Sequence, residues 1–167
     1  MASAPTALIF AANQRNFTPG TYSATVEIAS SAPGVTLRTI TVRLTVVSPS
    51  PAIGMGANAI SFSGTQGGAD PAEQQVGVTN AGGGALTGLA AAIDYQTGQP
   101  TGWLTATLSG TDAPAQLTLR AATGTLAAGN YTANVRVTSG LAQNSPQTVA
   151  VTFAVGAVQS LLALSQS

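Results

Sequence analysis

The sequence predicts an all-β fold, with antiparallel β-sandwich modules arranged in tandem. Apolar and small polar residues alternate with a period of two over most of the chain, the mark of half-buried strands. Gly- and Pro-rich breakers separate these runs at roughly 8–12-residue spacing, as in a sandwich. The chain also repeats: residues 1–47, shifted by 109 positions, lie on residues 110–156 without a gap. Repetition at a fixed interval means modules in series.

The elements follow in order. Residues 21–29 (TYSATVEIA) place Tyr22, Ala24, Val26 and Ile28 on one face and Thr21, Ser23, Thr25 and Glu27 on the other. Residues 37–47 put Ile40, Val42, Leu44 and Val46 inward and Arg43 outward. Further strands are predicted near 51–63, 74–79, 87–95, 103–108 and 115–121. Residues 130–138 then repeat the first pattern with Tyr131, Ala133, Val135 and Val137. Residues 147–155 repeat the second with Val149, Val151, Phe153 and Val155. Residues 84–93 (GALTGLAAAI) come nearest to a helix, but Gly84 and Gly88 cost about 1 kcal/mol each in a helix interior. Strand or loop is predicted there. Gly82-Gly83-Gly84 reads as a turn requiring positive φ, since no Lys follows to make a phosphate loop. Pro49 and Pro51 mark a module junction that restricts the angle between neighbours.

Composition excludes several function classes. The 167 residues include five Arg and five acids but no Lys, His or Cys, and 6% of residues are charged. Ordinary soluble domains carry about 25%. Without clustered cations there is no basis for nucleic-acid binding. No apolar run approaches the roughly 20 residues of a membrane helix, so no membrane insertion is expected. With no His or Cys, zinc and iron sites are not expected, and the acids lack calcium-loop spacing. Asp70 and Glu73 are close, but read as a solvated loop with Asp70 initiating a turn before Pro71. Catalysis by nucleophile and base lacks its usual partners. The expectation is therefore no catalytic residues, no metal, no cofactor and no enzymatic activity.

One stretch carries a family resemblance. Trp103-Leu104-Thr105-Ala106 precedes Ser109-Gly110-Thr111 and the strand Leu117-Thr118-Leu119. Leu126-Ala127-Ala128-Gly129-Asn130-Tyr131-Thr132-Ala133-Asn134-Val135-Arg136-Val137 follows. This arrangement resembles the bacterial BACON domain and related Ig-like sandwich repeats. It covers residues 48–156 fully and 1–47 in part, where Phe17 and Pro19-Gly20-Thr21-Tyr22 carry the same ending. The resemblance implies an exported, often multi-copy Ig-like sandwich of bacterial surface proteins, hence an extracellular or cell-surface location. No export signal is visible in this chain. The resemblance also implies carbohydrate binding as an alternative function, with glycans as partners.

For such a role Tyr95 and Trp103 are the ligand candidates. Trp103 precedes an alternating strand, which favours the core over a sugar-stacking surface. Tyr95 opens the polar loop 96–101. Tyr22 and Tyr131, each two residues after a Gly, are expected to bury their rings and hydrogen-bond back to a loop, as in a tyrosine corner.

Residues 1–47 are expected to supply the last three strands of a sandwich, 48–156 a complete module, and 157–167 the first strand of a third. Alone, the first segment would expose Tyr22, Val26, Ile28, Ile40, Val42 and Leu44, and the last would expose Leu161, Leu162 and Leu164. Each such side chain gains about 1.5–3 kcal/mol on burial. Ile40, Val42, Leu44, Leu161, Leu162 and Leu164 are therefore the expected assembly positions. Their partners are neighbouring copies of the protein or flanking modules of a longer chain, through strand addition. Head-to-tail contacts of that kind build open filaments. The expected function is a structural repeat of a surface, stalk or filament protein.

Overall fold

A computed structural model describes residues 7–13 and 15–158. The described residues form strands, turns and loops, without helix. They divide into two compact units, Met1–Ser48 and Pro49–Ser167.

The first unit is a single antiparallel hairpin of β1 (Gly20–Ile28) and β2 (Arg38–Val46), paired from Gly20↔Val46 to Ile28↔Arg38. Three strands were expected here, but residues 7–13 form none. In the repeat they correspond to 116–122, which overlap a central strand of the second unit. A central strand is held by ladder bonds on both sides, and among the described residues of the first unit the strands are β1 and β2, paired with each other. Its apolar residues stay exposed: Leu8 53%, Ile9 86%, Phe10 45%.

The second unit is a sandwich of two four-stranded sheets, ordered β4-β10-β9-β6 and β3-β5-β8-β7. Its strands are β3 (Ile53–Met55), β4 (Ala59–Thr65), β5 (Gln74–Asn80), β6 (Ala90–Tyr95), β7 (Leu104–Leu108), β8 (Ala115–Ala121), β9 (Gly129–Thr138) and β10 (Gln147–Gly156). The expected strand 51–63 is two strands, one in each sheet. Gly56 donates to the Gly77 carbonyl at 2.8 Å, and the chain then crosses between sheets, where Asn58 accepts from the Ala150 amide at 2.9 Å. Entering the second sheet in that direction makes β4 run parallel to β10. Every other strand pair is antiparallel. Residues 84–89 are loop and β6 begins at Ala90.

The alternation sets the core. Val76 and Val78, Leu117 and Leu119, Val135 and Val137, Val149, Val151 and Phe153 are each 0–1% exposed. The Gly82–Gly84 turn closes on the start of this unit. A Cβ on Gly82 would lie 2.2 Å from the Ser50 carbonyl oxygen, and one on Gly83 2.8 Å from that of Pro49. Of the three only Gly84 has positive φ, at 65°. Close backbone approach, rather than left-handed backbone, demands the first two glycines. The Pro49–Ala52 segment is pinned there by Ser50 to the Gly83 amide, Pro51 to the Gln143 amide and Ala52 to the Ala81 amide.

Candidate functional site

Of the two ligand candidates, Trp103 is buried and Tyr95 is half-buried. Trp103 is 3% exposed and packs against Phe153 (centroids 5.7 Å apart), Tyr95 (6.0 Å) and Tyr131 (6.4 Å). The core reading of Trp103 is the one the structure shows. Its indole Nε1 is buried without a hydrogen-bond partner. Tyr95, half-buried at the end of β6, donates its hydroxyl to the Leu104 carbonyl (3.1 Å) and accepts from the Leu104 amide (3.3 Å). It thereby ties an edge strand of one sheet to an edge strand of the other.

A shallow hollow of about 410 Å³ beside this cluster is lined by Asp70, Glu73, Trp103, Thr105 and Arg120 among others. Its charges are already engaged. Glu73 pairs with Arg120 at 2.5 Å. Asp70, read from sequence as a solvated turn residue, accepts from the Thr123 amide (2.8 Å) and hydroxyl (2.9 Å). Thr123 is 1% exposed, so these bonds satisfy a buried polar group. Asp70→Ala is expected to cost about 1–3 kcal/mol and Asp70→Asn less than half of that. Urea unfolding followed by the fluorescence of Trp103, the only tryptophan, checks it. Among the described residues no group of three His, Cys, Asp or Glu is placed to hold a metal.

The unsatisfied surface of the chain lies in the first unit. Its hairpin reproduces the β9–β10 hairpin position by position under the 109-residue shift. Gly20↔Val46, Tyr22↔Leu44, Ala24↔Val42 and Val26↔Ile40 match Gly129↔Val155, Tyr131↔Phe153, Ala133↔Val151 and Val135↔Val149. The tyrosine latch recurs: Tyr22 donates to the Thr18 carbonyl at 2.8 Å, and Tyr131 to that of Ala127 at 2.7 Å. So does the turn that follows, with the Ala32 amide on Ser30 Oγ (3.1 Å) and the Leu141 amide on Ser139 Oγ (3.2 Å). The latch was legible in sequence. The Ser30 and Ser139 turns were not, although both serines follow the strand at equivalent positions.

The two hairpins differ in what covers them. In the second unit β10 has β4 at its side, β9 has β6, and the inward face meets the β3-β5-β8-β7 sheet. Among the described residues both strands of the first unit are edges. Ile28 is 42% and Ile40 38% exposed, while the equivalent Val137 and Val149 are at 0%. Val42 and Leu44 are half-buried. Phe17 lies against Tyr22 with centroids 4.5 Å apart and helps line an apolar groove of about 360 Å³ over Tyr22, Val42 and Leu44. Among the described residues, nine of the eleven exposed large apolar side chains belong to this unit. Open ladder groups beside an apolar face equip a hairpin to accept strands. The remaining assembly positions, Leu161, Leu162 and Leu164, lie outside the described residues.

No protein-family model and no curated protein matches the chain. Among solved structures it is similar to a protein of unknown function from Porphyromonas gingivalis W83, at 13% identity and TM-score 0.46, over 84% of this chain and 68% of that one. It is also similar to an endo-fucoidan hydrolase of glycoside hydrolase family 107, at 13% identity and TM-score 0.43, over 84% of this chain and 19% of that one. A third likeness is to the EC1–3 region of a mouse clustered protocadherin, at 9% identity and TM-score 0.36, over 83% of this chain and 42% of that one.

Proposed function

We propose that the protein is a non-enzymatic structural repeat, made of Ig-like, BACON-type sandwich modules in series, that serves in an extracellular bacterial surface, stalk or filament assembly. One observation carries this reading: the β1–β2 hairpin has the register, latch and turn of a sandwich half, yet its inward face and both edges lack the cover that β9–β10 receives. Strands from a flanking module or a neighbouring copy complete it. The residue inventory fits a spacer. The surface is coated with Thr, Ser, Asn, Gln and Ala, and its few charges give little repulsion between packed copies. A carbohydrate-binding role on Tyr95 and Trp103 has less support, since one ring is buried and the other's hydroxyl is engaged.

Sedimentation velocity over a concentration series, paired with limited proteolysis of the full chain, tests the reading. Expected is cleavage confined to the hairpin unit while residues 49–158 resist, or concentration-dependent association that protects the hairpin. A species that stays monomeric at high concentration with its hairpin protected would overturn it.

A further inference from the structure

The two hairpins share an inward face but not an outward charge pattern, and this difference specifies the partner. On β9, Arg136 reaches across to β6 and grips Asp94 with two bonds, from Nε at 2.5 Å and from a terminal guanidinium nitrogen at 3.1 Å. The position equivalent to Arg136 in the first unit is Glu27, a reversal of sign. On β10, Thr152 donates to Ser61 Oγ, or accepts from it, across the parallel pairing with β4, at 3.0 Å. The equivalent of Thr152 is Arg43. Glu27 and Arg43 are exposed and, among the described residues, form no ion pair.

Placed in the slot that β9–β10 occupies, the β1–β2 hairpin would set Glu27 opposite Ala92 and diagonal to Asp94, the neighbour that Arg136 reaches across to bind. Like charges on neighbouring strands destabilise a sheet, and opposite charges stabilise it. Arg43 would meet Ser61, a neutral residue. The inward residues raise no such objection. Tyr22, Ala24, Val26, Val42 and Val46 are identical to their equivalents, and Ile28, Ile40 and Leu44 replace Val137, Val149 and Phe153. The apolar face thus admits many sandwich halves, and the outward charges select among them.

Resting on the sandwich-repeat reading, we infer that the β1–β2 hairpin is closed by a module of complementary charge and not by a copy of this chain's own 49–158 module. The closing half-sandwich carries a basic side chain on the strand beside β1, near Glu27. It carries an acidic side chain on the strand running parallel to β2, near Arg43. It also offers a backbone carbonyl to the Ser30 hydroxyl, as Thr87 does to Ser139 at 2.7 Å. The Arg136–Asp94 pair has the converse task of keeping the wrong hairpin out of the second unit.

A strand graft in the full chain tests this. Residues 129–137 are replaced by the sequence of 20–28, and residues 147–155 by that of 38–46, leaving the loop between them. Asp94→Arg and Ser61→Glu are then introduced into both the natural and the grafted protein. Asp94→Arg is expected to lower the thermal midpoint of the natural protein by roughly 2–5 °C and to raise that of the graft by a similar amount. Ser61→Glu is expected to raise the graft and not the natural protein. Both inversions should shrink in about 1 M NaCl, where exposed charges are screened. A second graft that retains Phe153 separates charge from core volume.

Shifts of the same sign in natural and grafted proteins would overturn the charge selection while leaving the sandwich-repeat reading standing. Failure of both grafts to fold with any residue at 61 and 94 would overturn both, because the two hairpins would then not be interchangeable halves.

Discussion

Phe153→Ala is expected to destabilise the second unit by about 3–5 kcal/mol, whereas Leu44→Ala, at the equivalent position of the first unit, costs less than about 1 kcal/mol. Phe153 is at 0% exposure, packs against Trp103 with the rings tilted by 35° and meets Phe62 edge-on at 6.4 Å. Removing it leaves a cavity between two sheets that cannot collapse without breaking ladder bonds. Leu44 occupies the same register position opposite a tyrosine, but its side chain is half in water, and the described residues of its own unit form one two-stranded sheet. Urea titration monitored by Trp103 fluorescence reads the first variant. Backbone amide exchange across β1 and β2 reads the second. A loss for Leu44→Ala as large as that for Phe153→Ala would show that the hairpin is already covered in the isolated protein.

Trp103→Ala is expected to cost a comparable 3–5 kcal/mol, read by far-ultraviolet circular dichroism since the fluorophore is removed. Three aromatic contacts are lost with the indole, and such pairs add about 0.5–1.5 kcal/mol each beyond the area they bury. Trp103→Phe should be far milder. It keeps most of the ring and deletes the Nε1–H that is buried without a partner, and an unmade buried hydrogen bond is itself a cost of about 1–3 kcal/mol. A Trp103→Ala protein as stable as the parent would contradict the core role. The same pair of variants bears on sugar binding. A lectin-like tryptophan can be removed with little loss of stability, and a core tryptophan cannot.

Glu27 and Arg136 differ in sign at equivalent positions, while most of the inward residues around them match. TYSATVEIA matches NYTANVRVT most closely at Tyr, Ala and Val, the residues that alternate on one face. These positions are similar because every sandwich half solves the same packing problem. The outward Arg136 answers instead to a neighbouring strand, β6. Asp94 lies 42 residues from Arg136 in sequence, and only the β6–β9 pairing brings them together.

The chain by itself determined its β character, the positions of most strands, the inward residues of β9 and β10, and the equivalence of the two hairpins. These are local properties: period-two alternation, glycine and proline at turns, and a tyrosine two residues after a glycine are each readable within a few residues. Tertiary structure decided the rest. It split residues 51–63 between two sheets and turned β4 parallel to β10. It made Asp70 the partner of Thr123, and it withheld strand structure from residues 7–13. Each depends on groups far apart in sequence competing for the same hydrogen bonds. A strand exists only where another lies beside it, and no alternation pattern states which neighbour that will be.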